Sequence, residues 1–240
     1  VLPIAFIARE VGGDRVQVDV LVPPGASPHT FEPVPSDIIK LQRARYFLRV
    51  GAGLDGWSDK LLAAVPGALK TLTLIAAPGL KPLKGGSHAE HHQNKVMKHK
   101  KKHHDHGHDD HNVSKSRNGE DPHFWLDPIR VRDAVVPMLA RYLIEADPGG
   151  GGYYKERTEA FQQRLTDLDN RVRQEFAKAR ARKFVAFHNS WSYFSERYNL
   201  EKVAVVQEFA GEEPTPKEVA NLVRSARNAG IRSILVEPQF

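Results

Sequence analysis

The chain has 240 residues, enough for one large domain or two small α/β lobes, and its 40% apolar and 27% charged residues exclude a disordered or fibrous polymer. It contains no cysteine, so disulfides, thiolate zinc fingers, iron–sulfur clusters and cysteine nucleophiles are excluded, and any metal site must draw on His, Asp, Glu or water. The formal charge of +6 does not mark a nucleic-acid binder: residues 84–120 hold 8 Lys or Arg against 5 Asp or Glu, half the surplus, and no basic helix interleaved with aromatics occurs.

No run approaches the roughly 20 apolar residues of a membrane span, so a soluble chain is expected. Val1 to Ala8 is apolar but lacks the basic region and cleavage site of a secretory signal. The expectation is that a leader was removed upstream and that the chain opens inside a first strand. Val16, Val18, Val20 and Val22 alternate with the period of two of a half-buried strand, which Pro23-Pro24-Gly25 ends. A short helix over Asp37 to Arg45, a strand over Tyr46 to Val50, a helix over Gly56 to Val65 and a strand over Lys70 to Ala76 follow. Strands alternating with helices predict a largely parallel sheet covered on both faces.

Residues 85–119 break the pattern with nine histidines among Lys, Asp, Asn and Ser. Val96, Met97 and Val113 are nearly its only apolar residues, too few to bury a core, so a disordered insertion is expected. Order resumes at Asp121. Val131, Val135, Leu139 and Leu143 lie on one face of a helix over Arg130 to Glu145, and the glycines from 149 to 152 read as a hinge or linker. Phe161, Leu165, Leu168, Val172 and Phe176 then predict one long amphipathic helix over Tyr153 to Arg182, about 45 Å at 1.5 Å per residue, long enough to join two lobes. Beyond it come a strand over Lys183 to Phe187, a helix over Ser190 to Tyr198, a strand over Val203 to Gln207, a helix over Pro216 to Ala229 and a strand over Ser233 to Val236. The expected organisation is an N-terminal α/β lobe over 1–152, a linker helix over 153–182 and a C-terminal α/β lobe over 183–240 that stops short at Phe240.

Outside the insertion three histidines remain, His29, His123 and His188, each where a strand or loop should reach a lobe edge. Open α/β sheets bind ligands at the carboxyl ends of their strands. A lone histidine beside prolines or aromatics is more often a packing residue than a ligand. Jointly, three imidazoles completed by a carboxylate or water suit Zn2+, because borderline imidazole nitrogen matches that ion while oxygen shells match Mg2+ or Ca2+. Glu32, Asp121 and Asp127 flank these rings and are candidates for fixing their tautomers.

The segments Val22-Pro23-Pro24-Gly25-Ala26-Ser27-Pro28-His29-Thr30-Phe31-Glu32-Pro33, Asp121 to Pro128, Phe187-His188-Asn189-Ser190-Trp191-Ser192-Tyr193-Phe194 and Val236-Glu237-Pro238-Gln239-Phe240 resemble, in order, the recurrent motifs of a known family. It is the metal-binding solute-receptor family of bacterial zinc and manganese ABC importers, in particular its zinc-uptake members, and the resemblance covers essentially the whole chain. It implies two α/β sandwich lobes with parallel-rich sheets joined by a long rigid helix, with His29, His123 and His188 as metal ligands in the cleft. Relatives that carry manganese tend to have a carboxylate where this chain has His188, so the imidazole there favours zinc. The family commonly adds an acidic ligand beyond the Pro238-Gln239-Phe240 motif; the fourth ligand is therefore unassigned, and Glu237 is not put in its place.

These readings predict an extracytoplasmic, periplasmic or membrane-associated receptor, monomeric, that passes Zn2+ to a membrane permease without covalent chemistry. The competing readings are a zinc hydrolase using the same histidines with Glu32 or Asp127 as general base, and a histidine-rich metal buffer. The insertion is expected to gather or sense zinc weakly and to be dispensable for the tight site. Gly51-Ala52-Gly53-Leu54-Asp55-Gly56 matches a dinucleotide-binding pattern, but no Asp or Glu lies between Asp59 and Glu90 to hold a ribose, so a tight strand-to-helix turn is expected. Ser190 and Ser192 lack the turn that exposes a hydrolase nucleophile, and Trp191, Tyr193 and Phe194 read as core.

Overall fold

In the computed structural model, which describes residues 1–65, 67, 69–85, 119–207, 211, 213–231 and 234–237, every pairing between the named strands is parallel. Strand β1 (Tyr46–Arg49) lies beside β2 (Lys70–Thr73), and β3 (Lys183–His188) lies between β4 (Glu201–Gln207) and β5 (Ile234–Leu235). The helices are α1 (Leu2–Gly12), α2 (Pro35–Arg43), α3 (Ser58–Ala64), α4 (Pro128–Arg130), α5 (Val136–Ala146), α6 (Gly151–Lys178), α7 (Ser192–Tyr198) and α8 (Pro216–Asn228). Helix and strand alternate as an α/β chain requires, and the two sheets give the mixed architecture that the hydrophobic pattern predicts.

The chain begins with a helix, not a strand. Ile4, Ile7, Ala8 and Val11 are buried on one face of α1, which packs on α5 and α6, while Leu2 and Phe6 stay exposed. A short apolar run fits either period, and here spacings of three and four residues, not two, meet the neighbouring helices. The alternation at Val16, Val18 and Val20 survives in burial: these valines are half-buried while Gln17 and Asp19 are exposed. Among the described residues, however, the segment joins no strand ladder, and the Arg9 guanidinium donates to the Val18 carbonyl instead. Alternation fixes which side chains face inward; a strand also needs a neighbour with matching free backbone groups.

The helix expected over Arg130 to Glu145 is present but is wound as a π turn over Val131–Val135. Pro137 in the first turn of α5 has no N–H to offer the Asp133 carbonyl, and its ring would crowd that oxygen, so the preceding turn widens. The glycine-rich stretch after β1 is a tight turn, as expected. Gly51 has φ 89°, and a Cβ there would lie 2.7 Å from Thr73 Cγ2 and 2.9 Å from Ile75 Cγ2. The Asp55 carboxylate closes the turn by accepting the Val50 and Gly51 N–H groups at 2.5 and 3.0 Å.

The main core gathers Val11, Leu74, Phe124, Val135, Val136 and Tyr193, all fully buried. Helix α6, 28 residues or about 42 Å long, buries Tyr154, Phe161 and Leu165 against the first half of the chain. Near its other end Phe176 packs on Phe194 and Tyr198 of α7. The histidine-rich residues 86–118 lie outside the described residues, as do Pro238, Gln239 and Phe240. The insertion's two ends meet in an antiparallel bridge between Lys84 and Glu120, with Gly85 N–H donating to the Gly119 carbonyl at 2.5 Å and Asp121 N–H to that of Leu83 at 2.8 Å.

One buried ion pair ties α6 to α7. Asp169, 4% exposed, accepts from Arg197 at 2.6 and 2.8 Å and from Arg173 at 3.0 Å. The Arg197 hydrogen bonds, reinforced by Arg173, hold this carboxyl at about 2, below its ordinary 3.8. The unfolded chain therefore binds this proton more readily, and the stabilisation is present above about pH 4 and lost as pH falls towards about 2. Asp169→Asn is expected to lower the urea midpoint at pH 7, with the gap to wild type closing between pH 4 and 2.

Candidate metal centre

Each imidazole reaches the centre on a different kind of scaffold. His29 sits in the proline-rich loop after Val22, where Ala26 N–H donates to the Pro23 carbonyl at 3.1 Å. The Trp57 indole N–H donates to the Pro28 carbonyl at 3.0 Å, and Phe31 packs edge-on to Trp57 at 4.8 Å, so an aromatic anchor fixes the loop. His123 precedes the fully buried Phe124 in a single turn of 3-10 helix over Phe124–Leu126. His188 ends β3, the central strand of the second sheet, in register with Gln207. A strand's carboxyl end is where ligand sites of open α/β sheets form.

The three rings converge. Their centroids lie 5.4 Å (His29 to His123), 4.9 Å (His29 to His188) and 5.0 Å (His123 to His188) apart, and one ring nitrogen from each lies within 4.8 Å of the others. His29 Nε2 and His123 Nε2 are 3.4 Å apart. Two nitrogens bound at about 2.0–2.1 Å to one tetrahedral ion lie roughly 3.3 Å apart, so this pair already has the spacing of a shared zinc. His123 and His188 are buried and His29 half-buried. Among the described residues no carboxylate joins this cluster as a further ligand.

A carboxylate stands behind two of the rings. Asp121 Oδ1 lies 2.7 Å from His123 Nδ1 and accepts the His123 backbone N–H at 2.9 Å. That contact places the ring proton on Nδ1 and leaves the Nε2 lone pair directed at His29. Behind His188, Glu237 Oε1 lies 3.4 Å from Nδ1 and accepts from the Ser190 hydroxyl. Of the flanking acids named from the sequence, only Asp121 holds a ring. Asp127 caps α4 by accepting the Ile129 and Arg130 N–H groups and pairs with Arg130 and Arg197, and Glu32 is exposed. Glu237 was missing from that set because it is 49 residues from His188; the parallel pairing of β3 with β5 brings the two together. The available signal was that the residues following two adjacent parallel strands emerge at the same sheet edge.

The electrostatics suit a cation. Burial, together with the nearby His123 and His188, pushes His29 down to about 3 from its ordinary 6.5. Burial lowers His123 as well, against the pull of Asp121. Burial raises Asp121 and Glu237, but hydrogen bonds outweigh it and hold both below the ordinary carboxyl range, from His123 in the one case and from His188 and Ser190 in the other. The lowered proton affinity of His29 and His123, with the ionised Asp121 and Glu237 carboxylates behind the cluster, favours a metal ion over a proton at these nitrogens. Of the two acids the hydrolase reading offered as general base, Asp127 is taken up by the helix cap and two arginines and Glu32 is exposed, while Ser190 donates to Glu237. Tyr193 is fully buried, as expected of a core residue, and its hydroxyl is engaged as well.

The family model described as zinc-uptake complex component A, periplasmic, matches residues 1–240. The chain is 27% identical over 240 residues to the high-affinity zinc uptake system protein ZnuA of Bacillus subtilis, covering 98% of this chain and 68% of that protein. It is 25% identical over 233 residues to the manganese-binding lipoprotein MntA of Halalkalibacterium halodurans, covering 96% and 67%. A crystal structure of ZnuA superimposes with a TM-score of 0.80 at 28% identity, covering 99% of this chain and 80% of that one.

The depressed His29 has a consequence for the metal-free protein. Between about pH 6.5 and 3 the unfolded chain takes up a proton at this residue that the folded chain resists, so folded stability falls as pH drops through that window. In chelator, the urea midpoint of the wild type is expected to decline from pH 6.5 downward, and His29→Gln to flatten that decline.

Proposed function

Because the chain belongs to the periplasmic zinc-uptake component A family, whose members are metal-binding receptors of ABC importers and not enzymes, we propose that it captures Zn2+ at His29, His123 and His188 and delivers it to an ABC-type permease. The observation that carries this is the meeting of three imidazole nitrogens, from segments 94 and 65 residues apart in sequence, within 4.8 Å of one another. The ion is cargo, so the site must hold it tightly and still let it go.

Zinc is favoured over manganese by the donors. Three borderline nitrogens suit Zn2+, which also stands far above Mn2+ in the general affinity order of divalent ions, whereas Mn2+ is best served by carboxylate and carbonyl oxygen. A manganese-binding relative in the same similarity range makes this a property to be measured rather than inherited. The fourth position is left to water or to an acidic group. The division into lobes over 1–152 and 183–240, with residues 153–182 as the strut between them, belongs to the same proposal, as do an extracytoplasmic location and a monomeric state. In this arrangement His29 and His123 come from one lobe and His188 from the other, so the ion itself bridges them.

The histidine-rich insertion is read as a weak gathering device that the tight site does not need. Zinc titration separates the readings. Wild type is expected to show one tight site above several weak ones, deletion of residues 86–118 to keep only the tight one, and the His29→Ala, His123→Ala, His188→Ala triple variant to keep only the weak ones. A simple metal buffer predicts the opposite: unchanged capacity in the triple variant and near-total loss in the deletion. Mn2+ is expected to compete with Zn2+ at the tight site only at a large excess.

A further inference from the structure

Tyr193 sits at the opening of α7, five positions after His188, yet reaches back to Asp121. The Tyr193 hydroxyl donates to the Asp121 carbonyl at 2.8 Å and accepts the Leu83 N–H at 3.0 Å. The Asp121 carboxyl in turn engages His123 Nδ1 at 2.7 Å. The Tyr193 ring is fully buried in the main core, with the Arg130 guanidinium 4.7 Å from its centroid. Burial raises its hydroxyl to about 12, so it remains protonated and able to donate throughout the working range. One hydroxyl thus holds the main chain of the aspartate whose side chain meets His123. A phenylalanine would fill the same core volume, so the hydroxyl itself needs a purpose.

We propose that Tyr193 is a positioning residue of the metal centre: it fixes Asp121 so that the carboxylate holds His123 Nδ1 and turns Nε2 towards His29 and His188. The segment bearing His188 thereby sets the orientation of His123, and two ligands from opposite halves of the chain are aligned before any ion arrives. Prior alignment matters because an imidazole that must first be turned loses affinity in proportion to the fraction of time it points elsewhere. Asp121 N–H also donates to the Leu83 carbonyl at 2.8 Å, so Tyr193 bonds the other two main-chain groups of that pair, the Leu83 N–H and the Asp121 carbonyl, beside the base of the histidine-rich insertion.

This inference rests on His123 being a zinc ligand, and the test separates the two. Zinc affinity of the full chain is measured by chelator competition, which reads only the tight site, and the visible absorption of the Co2+ complex reports ligand geometry. Tyr193→Phe is expected to weaken zinc about tenfold or more and to alter the Co2+ bands, as loss of a partner behind a metal-bound histidine does. In an Asp121→Asn background the same change is expected to cost less than twofold further, because its effect passes through Asp121. Tyr198→Phe, a buried tyrosine remote from Asp121, is expected to leave affinity and bands unchanged. Wild-type affinity and bands in Tyr193→Phe, or an undiminished loss in the Asp121→Asn background, would overturn the positioning role. If Tyr193→Phe fails to fold, 3-fluorotyrosine at position 193, which keeps the hydroxyl but makes it a stronger donor, is expected to shift the Co2+ bands, and unchanged bands would overturn the role. Unchanged tight binding in His123→Ala would instead remove the ligand assignment on which the inference stands.

Discussion

Three basic nitrogens within 5 Å of one another are a liability to a folded protein unless a cation sits among them. Protonating any two of the rings would place like charges side by side in a desolvated space, and His29 shows the consequence with a proton affinity far below that of free imidazole. The rest of the structure answers that requirement. The Trp57 anchor fixes the His29 loop, the Asp121 carboxylate fixes the His123 ring, and β3 with Glu237 fixes His188. The result is a cluster of three imidazole nitrogens close enough to be met by one divalent ion, which suits a receptor that must take its cargo from dilute solution.

The same constraint explains why the two halves of the chain are so firmly joined near the centre. Tyr193 from α7 enters the core built largely by the first half, Arg130 pairs with Glu196, and Arg197 links Asp169 with Asp127. Helix α6 touches both halves along its length. A triangle of imidazoles assembled from distant segments keeps its dimensions only if those segments cannot drift, and for short interactions such as a metal–nitrogen bond a drift of one ångström is decisive. The ion pairs are partly buried and of different worth. Asp169 is well enclosed, while Glu196 is exposed enough for its contribution to be small.

Much of the fold was legible in the hydrophobic pattern, and its failures have identifiable causes. The strands at Tyr46 and Lys183 appear close to where they were expected, and the long helix α6 where the 3.6 period places it. Helix α1 was misread because its apolar run is too short to choose a period alone. Residues 16–20 alternate correctly yet form no ladder among the described residues, since pairing depends on a neighbour the local pattern does not reveal. At the centre, the three histidines stood out because the chain has no cysteine and its other nine histidines fall in one segment. Their carboxylate partners did not stand out: Asp121 and Asp127 look alike in sequence, but one meets an imidazole and the other a helix end. Glu237 depended on strand adjacency, and the hydroxyl of Tyr193 on a contact across 72 residues.

The account stands on a single ion bound jointly by three rings, and anomalous diffraction at the zinc edge from crystals loaded with one equivalent of zinc observes that directly. The predicted result is one dominant peak at about 2.0–2.1 Å from a nitrogen of each of His29, His123 and His188. A dominant peak elsewhere, or one bonded to only one of these rings, would contradict it.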